Sequence, residues 1–251
     1  MIIDTRLPAL LRSGKTLRGI FIGMPAPPLV EMAGHAGFDF IVIDNEHGNC
    51  TLETTEQMIR AAKAVNIIPV VRTLESSINH VLDLGASAIK IPGVNTAAMA
   101  QRIVDAAKYP PVGRRGAAFS TRAAGFGFFG GDAHVKASNE GTSVIVMIET
   151  VEAIENLDAI LAVKGIDCAF VGPNDLSFSM GLPGKVGSPE VRAKVEGAIK
   201  RIRASGIAAG VIANNNADAK HYREVGANYL STVYTALMVP MLKSAVEALS
   251  V

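Results

Sequence analysis

Short apolar runs alternate along the chain with longer stretches whose apolar positions recur at helical spacing, and Pro and Gly mark the joins. Leu17 to Met24 reads as the first strand, with Pro25, Pro27 and Pro28 opening a helix through Ala36. Phe38 to Ile43 reads as the second strand. Thr51 to Val65 is the helix after it, with Thr51 as N-cap and Glu53 in the first turn. Ile67 to Arg72, Ala88 to Ile91, Ser143 to Ile148, Asp167 to Val171, Ile207 to Ile212 and Tyr229 to Val233 read as further strands. The helices that follow them are predicted over 76–84, 96–107, 151–163, 189–205, 217–225 and 236–249. Eight strands alternating with eight helices in a chain of 251 residues point to a (β/α)8 TIM barrel forming a single domain over 1–251. A doubly wound open sheet is the alternative. The absence of Gly-x-Gly-x-x-Gly after the first strand weakens a dinucleotide fold.

The rhythm breaks between Tyr109 and Gly131, where Pro110-Pro111 and the run from Gly125 to Gly131 interrupt it. An insertion of this kind is either functional or mobile. Its alternating Gly and Phe suit a flap whose rings cover something, or a disordered surface loop.

Composition narrows the function classes. Hydrophobic residues make up 49% and charged residues 19%, enough for a large core. A net charge of +1 argues against a nucleic-acid partner, which requires a clustered basic face. No apolar run has the length of a membrane span, and Met1 to Arg6 lacks the layout of a secretory signal. The two cysteines, Cys50 and Cys168, form no disulfide framework or thiolate zinc site, and Cys168 reads as core. The expectation is a cytoplasmic protein with neither membrane nor nucleic-acid partner.

Catalytic groups of a barrel stand just after its strands, and the reactive residues collect there. Asp44, Glu46 and His47 follow the second strand, Arg72 ends the third and Glu149 follows the fifth. Asp175 follows the sixth, and Asn214 the seventh. Several strands each ending in an ionisable group are costly to arrange for stability alone. Glu149 and Asp175 could complete a site for a hard divalent ion, or serve as capping carboxylates. His47, three residues beyond Asp44, suggests an imidazole oriented by a carboxylate, as a general base requires. His35, His80, His134 and His221 read as structural or exposed. Arg72 could bind a carboxylate or a developing oxyanion, or pair with a neighbouring barrel carboxylate. Gly172 permits close backbone approach, and the amides of Asn174 and Asp175 could cradle a substrate carboxylate; Pro173 has no N–H to give. Lys90 admits two readings: a desolvated Schiff-base nucleophile, or a side chain pointing out toward the helices.

These residues fall into longer motifs: Ile43-Asp44-x-Glu46-His47, Pro69-Val70-Val71-Arg72, Tyr109-Pro110-Pro111-x-Gly113-x-Arg115-Gly116, Ile148-Glu149-Thr150 and Val171-Gly172-Pro173-x-Asp175-Leu176-Ser177. In this order they resemble the HpcH/HpaI family of class II pyruvate aldolases, across nearly the whole chain. The resemblance implies a barrel whose last helix is exchanged with a neighbouring subunit, in a hexamer built as a trimer of dimers. It implies Glu149 and Asp175 as ligands of Mg²⁺ or Mn²⁺, with Co²⁺ and Zn²⁺ as further candidates. Arg72 would bind the pyruvyl oxygens and stabilise an enolate, and His47 paired with Asp44 would manage the proton. Gly172, Pro173, Asn174, Asp175 and Ile212 would surround the substrate, and Asp83 would reach a neighbour's site.

The implied reaction is reversible aldol cleavage of a 4-hydroxy-2-oxo acid to pyruvate and an aldehyde, as in aromatic or sugar acid catabolism. An oxaloacetate-type decarboxylase, a Schiff-base aldolase using Lys90 and a catalytically silent binding or assembly barrel are the alternatives. Thr121-Arg122-Ala123 resembles the glucarate-type branch of the family. The Gly/Phe-rich run after it, Asn45, and Lys90 at an expected apolar position depart from the pattern and leave the aldehyde open.

Overall fold

Period-two burial explains the architecture. In a computed structural model that describes residues 3–250, the strands Phe40–Asp44, Ala88–Ile91, Ser143–Ile148 and Cys168–Val171 are buried on both faces. Met1 and Ile2, part of the stretch read above against a secretory signal, and Val251 lie outside the described residues. The elements run α1 (Leu7–Arg12), β1 (Leu17–Ile22), α2 (Pro27–His35), β2 (Phe40–Asp44), α3 (Leu52–Ala64), β3 (Ile68–Arg72), α4 (Ile78–Asp83), β4 (Ala88–Ile91) and α5 (Ala97–Ala107). They continue α6 (Asp132–Gly141), β5 (Ser143–Ile148), α7 (Val151–Glu155), α8 (Leu157–Leu161), β6 (Cys168–Val171), α9 (Pro173–Ser179), α10 (Pro189–Ala204), β7 (Ala208–Ile212), α11 (Asn216–Val225), β8 (Tyr229–Val233) and α12 (Tyr234–Leu249). The strands pair in parallel and in chain order, and β1 closes on β8 with Leu17 beside Tyr229 and Phe21 beside Val233. This is the (β/α)8 TIM barrel.

Two apolar clusters follow from the alternation. Ile20, Ile22, Ile41, Ile43 and Val71 join the helices in an outer layer, while Phe21, Phe40, Val42, Val70, Ile145, Met147 and Phe170 fill the lumen. Large and small residues interlock inside. The Phe40 ring stacks on Tyr229 at 4.0 Å and occupies the space over Gly19, where a Cβ would lie 2.0 Å from ring carbon Cε2. Leu7 and Leu11 of α1 add to the lumen cluster.

The expected elements hold with local differences. Thr51 caps α3 as read, its Oγ1 accepting from Thr54 N–H at 3.2 Å. The helix predicted over 151–163 is divided at Asn156, whose side-chain amide donates to Asn95 O at 2.9 Å. Helices α1, α6 and α9 were not expected from periodicity, because each is short or lies within Pro/Gly-rich sequence. In the Gly/Phe-rich run, Phe126, Phe128 and Phe129 are exposed.

Candidate active site

The inward parity that fills the lumen also carries polar residues to its mouth. On β2, Phe40 and Val42 face inward and Asp44 is the next inward position. On β3, Ile68 and Val70 lead to Arg72, and on β5, Ile145 and Met147 lead to Glu149. The same count beyond β6 reaches Gly172, and on β7 it reaches Ile212.

Asp44 and Arg72 are in register across β2 and β3 and meet at two points, Arg72 Nε to Oδ1 at 2.8 Å and Nη2 to Oδ2 at 2.5 Å. Arg72 Nη1 also stands 3.1 Å from Glu46 Oε2, at ion-pair distance but without hydrogen-bond alignment. Burial works to raise the Asp44 pKa, yet the Arg72 guanidinium and the amides of Glu46 and His47 hold it below the usual carboxylate range. Burial also disfavours the Arg72 charge, which Asp44, Glu46 and Glu149 sustain.

The expected Asp44–imidazole contact is not formed. Asp44 Oδ1 instead accepts the backbone N–H of Glu46 at 3.1 Å and of His47 at 3.3 Å, so it shapes the turn rather than the ring. The His47 side chain is 68% exposed, and its Nε2 lies 3.9 Å from Glu46 Oε2. With both oxygens committed to Arg72, Asp44 orients the arginine and the backbone that carries His47.

Glu149 is the group that demands a partner. Its Oε1 accepts Gly93 N–H at 2.6 Å, while its Oε2 is buried with no partner. Burial, opposed by the Gly93 amide and reinforced by the charges of Asp175 and Glu46, pushes its pKa up to about 7. The capping reading of Glu149 is set aside: Thr150 caps α7, its Oγ1 accepting from Ala153 N–H at 3.0 Å. Asp175 lies in the first turn of α9, where Leu176 N–H to Gly172 O begins the backbone ladder at 3.1 Å, ahead of which stand the amides of Asn174 and Asp175. Gly172 is needed for the approach, since a Cβ there would lie 2.9 Å from Glu149 Oε2. No cluster of three or more metal-ligating side chains occurs among the described residues. An orphaned carboxylate oxygen and a second carboxylate nevertheless fit a hard divalent cation whose remaining ligands are substrate and water.

A cavity of about 430 Å³ opens here and brings together His47, Arg72, Pro173, Asn174, Asp175 and Ile212. Arg192, Asn214, Asp218 and Tyr222 line its far side. Arg192, Asp218 and Tyr222 escaped the strand-end reading because they come from helices. Their positions were nevertheless signalled by Ser188 and Asn215, the N-caps that start α10 and α11 at the mouth.

Register decides between the two readings of Lys90. Lys90 faces the lumen, not the helices, because it shares the parity of Ala88 and pairs in register with Arg72. It is fully buried, and its Nζ lies 3.3 Å from the Phe170 ring centroid, 4.3 Å from that of Phe21 and 5.1 Å from that of Tyr229. Nζ has no hydrogen-bond partner among the described residues and is not among the groups that line the cavity. Asp83 is not brought to the site of its own chain. It ends α4, at the opposite end of the barrel from the mouth, and accepts from Arg115 Nη2 at 2.6 Å.

A sequence model described as HpcH/HpaI aldolase/citrate lyase matches residues 17–239. The 2-keto-3-deoxy-L-rhamnonate aldolase of Salmonella newport (strain SL254) is 40% identical over 239 residues, covering 93% of this chain and 89% of that protein. The crystal structure of a HpcH/HpaI aldolase/citrate lyase family protein from Burkholderia cenocepacia J2315 superposes with a TM-score of 0.93 at 28% identity, covering 99% of this chain and 100% of that one. The HpcH/HpaI aldolase from Desulfitobacterium hafniense DCB-2 gives a TM-score of 0.88 at 28% identity, covering 97% and 96%.

Proposed function

The chain belongs to the HpcH/HpaI aldolase/citrate lyase family and is a lyase of the aldolase type, and from that premise we propose that it reversibly cleaves a 4-hydroxy-2-oxo acid into pyruvate and an aldehyde. The observation that carries this reading is the buried, unpartnered Oε2 of Glu149 in the field of Asp175 and Arg72. The Salmonella relatives are 2-keto-3-deoxy-L-rhamnonate aldolases, which supports a 2-oxo acid as the substrate.

Glu149 and Asp175 would hold a divalent cation, Mg²⁺ or Mn²⁺ by the hardness of their oxygens. When bound, such an ion supplies Lewis-acid polarisation of the 2-oxo group. The protein's own groups do the rest. The amides of Asn174 and Asp175 bind the substrate carboxylate, with Gly172, Pro173 and Ile212 shaping the surface beneath it. Arg72, fixed by Asp44, places positive charge where the enolate oxygen develops. His47 takes the proton of the 4-hydroxyl as the bond between the third and fourth carbons breaks. That bond's electron pair passes to the third carbon, the aldehyde leaves, and the proton returns to the third carbon to give pyruvate.

The same reading makes the whole chain one working barrel in the cytoplasm, assembled with copies of itself into a hexamer. Helix α12 has no buried residue and exposes Leu237, Met241, Leu242 and Val246, which supports its exchange with a neighbour. Asp83 then serves a neighbouring site.

Deuterium exchange into the methyl group of pyruvate, followed by proton NMR, tests the enolate half-reaction without any aldehyde. Exchange should appear when Mg²⁺ or Mn²⁺ is added to chelator-treated protein. Its absence with either ion present would overturn the assignment.

A further inference from the structure

The far side of the cavity carries chemistry that pyruvate does not use. Arg192 Nη2 donates to Asp218 Oδ1 at 3.3 Å. Asp218 is itself held in place: its Oδ2 accepts from Asn215 Nδ2 at 2.7 Å, and its N–H donates to Asn215 Oδ1 at 2.9 Å. This reciprocal cap at the start of α11 fixes the carboxylate on the cavity wall. Beside it, Asn214 Oδ1 accepts from Val233 N–H at 3.3 Å and from Thr232 Oγ1 at 3.2 Å. That orientation leaves the Asn214 Nδ2 donor available to the cavity. Tyr222 lies on the same wall, and Val186 and Val233 are its apolar parts.

This wall is charged but neutral in sum. Its cation, Arg192, already faces Asp218, with the two side chains 44% and 28% exposed. An aldehyde ending in a carboxylate would have to share Arg192 with Asp218, and would meet that anchored carboxylate as a like charge. An aldehyde bearing hydroxyls meets no such conflict. A hydroxyl both donates and accepts, and the wall offers acceptors on Asp218 and donors on Asn214 and Arg192.

We propose that the Arg192–Asp218 pair selects the aldehyde partner, admitting a neutral hydroxyaldehyde and turning away one that carries its own carboxylate. The inference rests on the aldolase reading above and goes beyond it in naming the residues that choose the acceptor and the class they choose.

The experiment compares kcat/KM for condensation of pyruvate with glyceraldehyde and with succinic semialdehyde. The native protein favours glyceraldehyde by at least about tenfold, the scale expected when a site built for hydroxyls meets an unmatched charge. Asp218→Asn frees Arg192 and moves the ratio toward succinic semialdehyde by about tenfold or more. Arg192→Gln leaves Asp218 as an uncompensated anion and moves the ratio the other way. Opposite displacements are the signature of charge selection, which general damage to the pocket does not produce. A native preference for succinic semialdehyde, or equal rates with both, overturns the proposal, as do two variants that move the ratio in one direction. Pyruvate methyl exchange in the native protein separates the two levels. Exchange with the wrong aldehyde preference overturns only the role of the pair, while no exchange removes the aldolase reading and this inference with it.

Discussion

Arg72 grips Asp44 with two nitrogens, Nε to Oδ1 at 2.8 Å and Nη2 to Oδ2 at 2.5 Å, and both side chains are almost wholly buried. Lysine cannot reproduce this two-point geometry. Arg72→Lys should therefore lower pyruvate methyl exchange by about 10²–10³-fold, the scale of losing one preorganised oxyanion donor. Asp44→Ala should act on the fold as well. Removing one partner of a buried pair strands the other, at a cost of roughly 3–5 kcal/mol. Urea unfolding measures this, and Asp44→Ala with native stability would show that the pair is not what holds Arg72.

Cation binding can be read without turnover. Because Glu149 Oε2 is buried without a partner, Mg²⁺ or Mn²⁺ should raise the melting temperature, as any ligand of the native state does. The rise should vanish in Glu149→Gln and in Asp175→Asn. Gly172→Ala sets a finer test, since its Cβ would crowd Glu149 Oε2 at 2.9 Å. Its cation affinity should fall by roughly 10–100-fold, the range for disturbing groups that orient a metal ligand. A native-like melting shift in Gly172→Ala would remove the steric account of that glycine.

Much of this architecture was legible in the chain because strand parity is a local property. Once Phe38 to Ile43 reads as a strand, Asp44 follows as its mouth-facing end, and the same holds for Arg72 and Glu149. Partner choice was not legible. Asp44 looked like the companion of His47, three residues away, but a partner across β2 and β3 is in register with it and offers two hydrogen bonds. Lys90 misled for a related reason. Lysine composition argues for an outward side chain, while register with Arg72 requires an inward one, and the backbone decides. Arg192 and Asp218 depend on where two helices begin, which is set by packing between elements distant in sequence.

Helix α12 carries a test of assembly. Leu242 and Val246 lie one turn apart and are 57% and 66% exposed, an apolar stripe that costs solubility unless another copy covers it. Leu242→Glu should move the protein to a smaller species in analytical ultracentrifugation, with far-UV circular dichroism unchanged because no residue of this helix is buried within its own chain. An unchanged sedimentation profile would exclude this stripe from the interface.

Lys90 closes the comparison between chemistry and stability. Its amine is enclosed by Phe21, Phe170 and Tyr229, and burial, with the nearby Arg72 charge, drives its pKa well below the ordinary lysine value even though Cys168, Glu149 and Asp44 act in the other direction. The folded protein therefore gives up the Lys90 proton at a lower pH than the unfolded chain, which binds it up to about 10.5. Between the depressed folded pKa and that value the unfolded state carries the extra proton, so stability must rise with pH across this window. Lys90→Met keeps most of the volume and removes the proton linkage. It should be more stable than the native protein at neutral pH by roughly 1–4 kcal/mol, the range seen when buried charged groups give way to apolar ones. The proton-linked part of this difference should shrink as pH approaches 10.5 and disappear above it. Three rings around an ammonium supply cation–π attraction of about 2 kcal/mol or more when desolvated, which opposes the trend. If that attraction won, Lys90 would stay charged and Lys90→Met would lose stability at neutral pH. Melting temperatures of both proteins from pH 7 to 10.5 decide between the two. The same variant tests the chemistry: a sealed amine is no Schiff-base nucleophile, so Lys90→Met should retain pyruvate exchange, and its loss in a folded variant would restore Lys90 to the reaction.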